Sequence, residues 1–295
     1  MHSQPILITG LGGTLGQAFT RICRGRNLPY EGLTRRELDI CDPDALARVC
    51  AATRPWAIVN TAGYVRVDDA EQDTRVCYRA NTDGPALLAR VCAEQDIRLL
   101  TFSSDLVFNG KKRVPYTESD AVAPLNVYGQ SKALAEACVR QANPDALIVR
   151  TSSFFGPWDG ANFVTQSVER LAKGEKVVAA SDLTVSPTYV PDLVQACLDL
   201  LLEGESGVWH LVNDGATTWA DLARRAAVLA DCDPNRVEGR PVAELGLPAC
   251  RPHYSVLSTE RGVRLPKLSD ALNRYFAEVG TARQAAYDGE LERVG

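Results

Sequence analysis

The sequence predicts an α/β fold, a doubly wound parallel sheet with a second, smaller domain, and three observations carry that prediction. Short β-branched apolar runs alternate with segments of helical period through the first half of the chain. A glycine-rich stretch stands between the first apolar run and the first helical segment. Beyond Thr151 the alternation loosens and loops rich in Gly and Pro intervene. Residues 1–151 are therefore expected to form one domain, and residues 152–295 most of a second that is partly interleaved with it.

In chain order the expected strands are Ile6–Thr9, Tyr30–Leu33, Ala57–Ala62, Arg98–Ser103 and Leu147–Thr151. Between them Leu15–Arg26, Pro43–Thr53, Arg75–Glu94 and Tyr128–Gln141 read as helices, each long enough for the crossover that parallel strands require. In the second part Asn162–Ala172 and Asp192–Glu203 read as helices and Val208–Val212 as a strand. Thr218-Trp219-Ala220-Asp221 approximates a capping box, with Thr218 as cap and Asp221 near the positive end of the helix dipole. The stretch from Thr281 to Gly295 is polar and weakly patterned, as expected of a frayed end or linker.

Composition narrows the function classes. With 295 residues, 45% hydrophobic and 23% charged, the chain can bury a substantial core. A formal charge of -5 and no basic run interleaved with aromatics argue against nucleic acid as a partner. The nine cysteines are odd in number, scattered and never spaced C-x-x-C, so they read as reduced thiols of a cytoplasmic protein. The three histidines, His2, His210 and His253, are too dispersed to complete a zinc site with them. Met1 to Pro5 leads into an apolar strand without a basic leader, and no 18-residue apolar stretch follows, so neither secretion nor a membrane is expected.

The chemistry begins at Thr9-Gly10-Leu11-Gly12-Gly13-Thr14-Leu15-Gly16, where Gly10, Gly13 and Gly16 form G-x-x-G-x-x-G between strand and helix. Glycine there allows a tight turn, lets backbone approach a pyrophosphate and lets the helix pack on the sheet, while free N–H groups attract the anion. This is the Rossmann-type arrangement; the bland alternative is a glycine-rich turn without a ligand. Past the second strand come Arg35 and Arg36, then Asp39-Ile40. An arginine at this strand end suits a ribose 2′-phosphate, so NADPH is expected with NADH left open; the alternative is that both arginines merely solvate a loop.

Tyr128-Gly129-Gln130-Ser131-Lys132 is a Y-x-x-x-K that places both side chains on one helical face. A tyrosine with an ordinary pKa near 10 is a poor proton-transfer catalyst at neutral pH, and a nearby ammonium favours its phenolate. Tyr128 could then exchange a proton with a carbonyl oxygen, with Lys132 as its partner. Most such pairs are surface helix neighbours; the setting downstream of the glycine motif favours catalysis. Ser104, after the fourth strand, is expected to hydrogen-bond the carbonyl and Tyr128, although serines there are also ordinary turn formers. Gly129-Gln130-Ser131-Lys132-Ala133 is one residue short of a nucleophile elbow and follows a loop rather than a strand, which makes a hydrolase a distant alternative.

With these residues in place the chain resembles the dTDP-4-dehydrorhamnose reductase family of extended short-chain dehydrogenases from about Ile6 to Ser258. The resemblance is carried by Val59-Asn60-Thr61-Ala62-Gly63-Tyr64, Val67-Asp68-Asp69-Ala70-Glu71, Phe102-Ser103-Ser104-Asp105-Leu106-Val107-Phe108 and Pro124-Leu125-Asn126-Val127-Tyr128-Gly129-Gln130-Ser131-Lys132. Further matches are Arg150-Thr151-Ser152, Pro187-Thr188, His210-Leu211-Val212, Thr217-Thr218-Trp219 and Arg251-Pro252. It implies reduction of the 4-keto group of a dTDP-linked 6-deoxyhexose by a nicotinamide coenzyme, and a sugar-nucleotide, substrate-binding second domain. It implies Tyr128, Lys132 and Ser104 as the catalytic set. Gly10, Gly13, Thr14, Leu15, Gly16, Arg35, Asp39, Ile40, Ala62, Gly63, Tyr64 and Val65 would line the cofactor with Tyr128 and Lys132. On the substrate side it points to Ser104, Asp105, Asn126, Ser153 and Arg251, whose charge suits a diphosphate.

The sequence departs from the family pattern at Ser153, where a tryptophan is usual, and at Leu106, where a tyrosine is usual. Losing both aromatics leaves the exact sugar open. Some members bridge a dimer through magnesium with a glutamate in the first helix; Gly16-Gln17-Ala18-Phe19 is uncharged here, so no metal is expected. A homodimer is compatible with the resemblance. Two other readings stand beside the reductase of sugar nucleotides: a reductase of a non-sugar carbonyl, and a non-catalytic regulatory subunit similar to the beta subunit of methionine adenosyltransferase.

Overall fold

The computed structural model describes residues 4–280. Its first half runs β1 (Ile6–Thr9), α1 (Thr14–Gly25), β2 (Tyr30–Leu33), α2 (Pro43–Thr53), β3 (Ala57–Asn60), α3 (Thr74–Tyr78), α4 (Gly84–Glu94), β4 (Arg98–Ser104), α5 (Val127–Ala142) and β5 (Leu147–Thr151). Then follow β6 (Phe154–Phe155), α6 (Phe163–Ala172), β7 (Val177–Ala180), β8 (Thr184–Val185), β9 (Thr188–Tyr189) and α7 (Val190–Glu203). The last are β10 (Gly207–His210), β11 (Asn213–Asp214), β12 (Thr217–Thr218), α8 (Trp219–Leu229), β13 (Val237–Arg240), β14 (Leu265–Lys267) and a helix over 268–280.

Six parallel strands form the central sheet in the order β10-β5-β4-β3-β1-β2. The chain runs outward from β1 to β2, then returns to build β3, β4, β5 and β10 on the other side, so the winding reverses between β1 and β3. Ligands of open α/β sheets bind outside the strand carboxyl ends at such a reversal.

The sheet is apolar on both faces because helices cover both. Ile6 and Ile8 join a core with Phe19 and Ile22 of α1 and Val194 and Leu198 of α7. Leu7, pointing the other way, joins Leu46 of α2, Leu88 of α4 and Val139 of α5. Burying each large side chain of this kind contributes about 1.5–3 kcal/mol. The later part of the chain makes small two-stranded pairings, β13 with β7 and β12 with β8, packed with α6 and α8. Thr218 caps α8 as expected: its Oγ1 accepts from the Asp221 N–H at 3.1 Å and donates to the Asp221 carboxylate at 2.9 Å.

Two expectations are corrected. The segment predicted as one helix over Arg75–Glu94 is broken by a wide π turn at Arg79–Asp83, where the side chains of Asn81 and Thr82 turn inward to bond neighbouring elements. The strand expected at Val208–Val212 ends at His210 and is the sixth strand of the central sheet, parallel to β5, because Trp209 adds to the core beneath α7. The expectation for Thr281–Gly295 falls outside the described residues.

Candidate active site

Two cavities meet over the carboxyl ends of β1, β3 and β4. The smaller, about 420 Å³, is lined by Gly10, Gly12, Gly13, Thr14 and Leu15 at one wall and by Arg35, Asp39, Ile40, Ala62 and Gly63 along another. The larger, about 580 Å³, lies toward the second half of the chain. Val65, Ser103, Tyr128 and Phe154 line both.

The glycines divide into two kinds. A Cβ on Gly10, whose φ is +75°, would lie 2.7 Å from the Ala62 nitrogen, and one on Gly16 would lie 2.5 Å from the Gly10 carbonyl oxygen. Packing of the turn against β3 and of α1 against the turn therefore demands glycine at both. At Gly12 nothing comes within 4 Å, and at Gly13 only the Gly10 oxygen does, at 3.4 Å. There the missing side chain leaves space at the start of α1, whose first turn has no side-chain cap. An uncapped helix start beside open space is a ready anion site, and these residues fit a dinucleotide diphosphate. Gly16 supports this wall from behind without lining it.

At the far end of the smaller cavity, Asp39 accepts from the Cys41 N–H at 3.0 Å and from Arg79 at 2.9 Å. Burial pushes its carboxyl up, but these donors outweigh burial and hold it below the usual carboxylate range. Arg79 lines the same cavity as Arg35 and was not singled out by sequence; it lies at the entry of the π turn, which helical periodicity cannot reveal.

The Tyr64 side chain leaves the cavity: its hydroxyl donates to Asp73 at 2.8 Å and its ring lies under Arg66. Its backbone matters instead. Asn81 Oδ1 accepts from the Tyr64 N–H at 2.8 Å, and Asn81 Nδ2 donates to the Tyr64 carbonyl at 3.1 Å and to Ser131 Oγ at 3.1 Å. Asn81 thus ties the Gly63–Val65 wall to α5, a role the sequence reading missed.

The helix α5 starts at Asn126, whose Oδ1 accepts from the Gly129 N–H at 2.7 Å and whose Nδ2 donates to the Cys250 carbonyl at 2.8 Å. That capping occupies the amide, and Asn126 lines neither cavity, contrary to the substrate contact expected of it. Ser131 is fully buried in mid-helix and donates to the Tyr128 carbonyl at 2.6 Å, which disposes of the nucleophile elbow.

Tyr128 is half-buried. Burial, reinforced by the nearby Asp105 carboxyl, pushes the phenol well above its ordinary value, while the neighbouring Ser104 hydroxyl favours its phenolate. The expected lowering by Lys132 is absent: Nζ lies 5.8 Å from the Tyr128 ring centroid and donates to the Phe102 carbonyl at 3.2 Å. Burial pulls the Lys132 ammonium down to about 8, against the opposing influence of Cys77 and Glu136.

In the larger cavity Asp105 is buried among hydroxyls: Ser255 donates to it at 2.5 Å and Ser104 at 3.1 Å. Burial nonetheless pushes its carboxyl up. Ser153 lines this cavity with a left-handed φ of +46°. Arg251 lines it too, but its guanidinium is held bidentately by Asp68 at 2.9 and 2.8 Å. Among the described residues no group of three His, Cys, Asp or Glu side chains is arranged to hold a metal ion, and no helix is long and apolar enough to cross a membrane.

Comparison with known proteins sets this geometry in a family. The model of the RmlD substrate binding domain matches residues 4–279. The chain is 38% identical over 252 residues to dTDP-4-keto-6-deoxy-D-glucose reductase of Streptomyces niveus, covering 85% of this chain and 87% of that one. It is 35% identical over 294 residues to dTDP-4-dehydrorhamnose reductase of Mycolicibacterium smegmatis, covering 98% and 89%. Among solved structures, dTDP-4-dehydrorhamnose reductase of Bacillus anthracis in complex with NADP superposes with a TM-score of 0.90 at 29% identity, over 94% of this chain and all of that one. A glycine turn on the first strand, a Tyr-Lys pair facing it, and a match that runs through both halves of the fold lead to one conclusion: the chain belongs to the RmlD substrate binding domain family.

Proposed function

We propose that the protein is an NADPH-dependent reductase of the 4-keto group of a dTDP-linked 6-deoxyhexose, with dTDP-4-dehydro-L-rhamnose as the first substrate to test. The observation that carries this reading is the position of Tyr128: one phenol opens on both cavities, and Ser104 lines the larger of them beside it. A carbonyl in the larger and a nicotinamide in the smaller would meet at it. The activities named for the relatives above support the sugar-nucleotide class.

In this reading residues 1–151 supply the dinucleotide domain and residues 152–295 most of the sugar-nucleotide domain. Gly10 to Leu15 hold the diphosphate at the start of α1, Arg35 faces the 2′-phosphate, and Asp39, Ile40, Ala62, Gly63 and Val65 line the coenzyme. Bound NADPH supplies the hydride. Tyr128 gives its proton to the carbonyl oxygen, and burial keeps that proton on the phenol until it is needed. Ser104 orients the same oxygen. Lys132 lends positive charge as the phenolate forms. Ser153, Asp105 and Arg251 line the sugar-nucleotide side.

The test is loss of NADPH absorbance with dTDP-4-dehydro-L-rhamnose and with dTDP-4-keto-6-deoxyglucose, comparing the protein with Tyr128→Phe. Removing the proton donor is expected to lower kcat by about 10²–10⁴-fold with coenzyme binding intact. Equal rates in the two proteins would remove the reading.

A further inference from the structure

Below the site lies a buried charge network to which the chemistry above assigns nothing. Glu136 stands one helical turn beyond Lys132 on α5. Arg150 of β5 grips its carboxylate from two nitrogens, at 2.8 and 2.6 Å, and Ser103 of β4 donates to it as well. Both charged side chains are more than nine-tenths buried. Arg150 and Ser103 are partners in the β4–β5 register, one residue before Ser104. Arg150 continues to His210 Nε2 of β10 at 3.2 Å, while His210 Nδ1 lies 2.8 Å from the Ser258 carbonyl. The proton therefore sits on Nδ1, and the ring accepts from Arg150 as a neutral histidine; burial lowers its pKa, in keeping with that state.

A buried ion pair costs several kcal/mol of desolvation, and apolar residues of the same volume often serve stability as well. Stability alone is therefore a weak account of Glu136. Its placement is informative: the carboxylate ties the helix bearing Tyr128 and Lys132 to the strand that ends at Ser104.

We propose that Glu136, clamped by Arg150 and Ser103, is a positioning residue that fixes the Tyr128–Lys132 face of α5 against Ser104 and supports Lys132 as an ammonium. The titratable and charged groups around Lys132 are Cys77 from α3, and Tyr128 and Glu136 from α5 itself. Beyond them stand Asp105 after β4, which acts on Tyr128, and Arg150 on β5, which faces Glu136. In Glu136→Gln the negative charge goes and Arg150 stays, so both changes disfavour a positive Lys132.

The kinetic arm of the test rests on the reductase reading; the titration arm does not. Of the six lysines in the chain, Lys132 is assigned in a carbon-13 NMR spectrum of lysine Cε by its loss in Lys132→Arg. In Glu136→Gln its titration midpoint is expected to fall by about half a pH unit or more. With NADPH and the keto sugar, kcat is expected to drop about 10- to 100-fold while both KM values stay within about twofold. Ser103→Ala removes one tie and no charge, so kcat should fall by about threefold or more with the Lys132 midpoint unmoved. A wild-type midpoint in Glu136→Gln, or a rise in KM at unchanged kcat, overturns the proposal. Where Glu136→Gln does not fold, Ser103→Ala decides, and an unchanged kcat overturns it. A wild-type protein that reduces no keto sugar removes the reductase reading, and the titration alone then decides the support of Lys132.

Discussion

Gly129 and Leu106 touch so closely that a Cβ on the glycine would lie 2.2 Å from the leucine's carbonyl oxygen. This contact seats the first turn of α5, which carries Tyr128, on the turn after β4. The glycine inside the Y-x-x-x-K motif is thus a steric requirement of the site, since the obstructing atom is backbone and cannot rotate aside.

Gly129→Ala is expected to push α5 outward, costing about 1–3 kcal/mol of stability and lowering kcat by about 100-fold. Thermal unfolding together with steady-state kinetics checks both. A variant with wild-type kcat would show that the contact does not set the catalytic geometry.

The pH dependence follows from Lys132, which loses its proton at about 8 in the free protein. Below that value the ammonium is present; as pH rises through it the charge disappears, so kcat/KM should fall on the alkaline side with a midpoint near 8. Lys132→Arg, whose charge persists, should be slower throughout and lack that limb. A profile flat to well above pH 9 in the wild type would contradict the assignment.

Arg251 lines the larger cavity and is held there by Asp68. Arg251→Gln is expected to raise KM for the sugar nucleotide by about tenfold, or about 1.4 kcal/mol, with little change for NADPH. Asp68→Asn, which frees the guanidinium from its bidentate anchor, should raise the same KM by a smaller factor. Separate titration of the two ligands tests whether the effect is confined to one cavity.

Thr218→Ala removes the hydroxyl that caps α8 and is expected to lower stability by about 1 kcal/mol. Denaturant unfolding should show a reduced midpoint at an unchanged slope. A changed slope would mean that α8 does more than cap and pack.

Much of this fold is legible in the sequence because the relevant signals are local. The strands β1 and β5 fall where apolar β-branched runs lie, and α2 begins at Pro43 behind a capping Asp42. What is hidden is non-local or departs from ideal periodicity. The π turn at Arg79–Asp83 inserts into a segment whose pattern still reads as one helix, and its function resides in Asn81 bonds to Tyr64 and Ser131, seventeen and fifty residues away. The pairing of β10 with β5 likewise joins segments that periodicity alone assigns to separate parts.

The site shows the same division. Tyr128, Lys132, Gly10 and Gly13 line the smaller cavity and Ser104 the larger, because one helix face and the strand ends fix them, while Gly16 lies behind the wall. Asn126 and Tyr64 do not line the cavities, since hydrogen bonds that spacing cannot foresee claim their side chains. Nor could spacing reveal that Arg251 is held by Asp68, 183 residues away.

The shared wall of Val65, Ser103, Tyr128 and Phe154 has a thermodynamic corollary. Two ligands that press on the same four side chains can each alter the other's dissociation constant. Whatever factor coenzyme occupancy applies to sugar affinity, sugar occupancy must apply to coenzyme affinity, because the cycle of four binding states has to close. Any such coupling would run through the shared partition, of which the ring of Phe154 is a part.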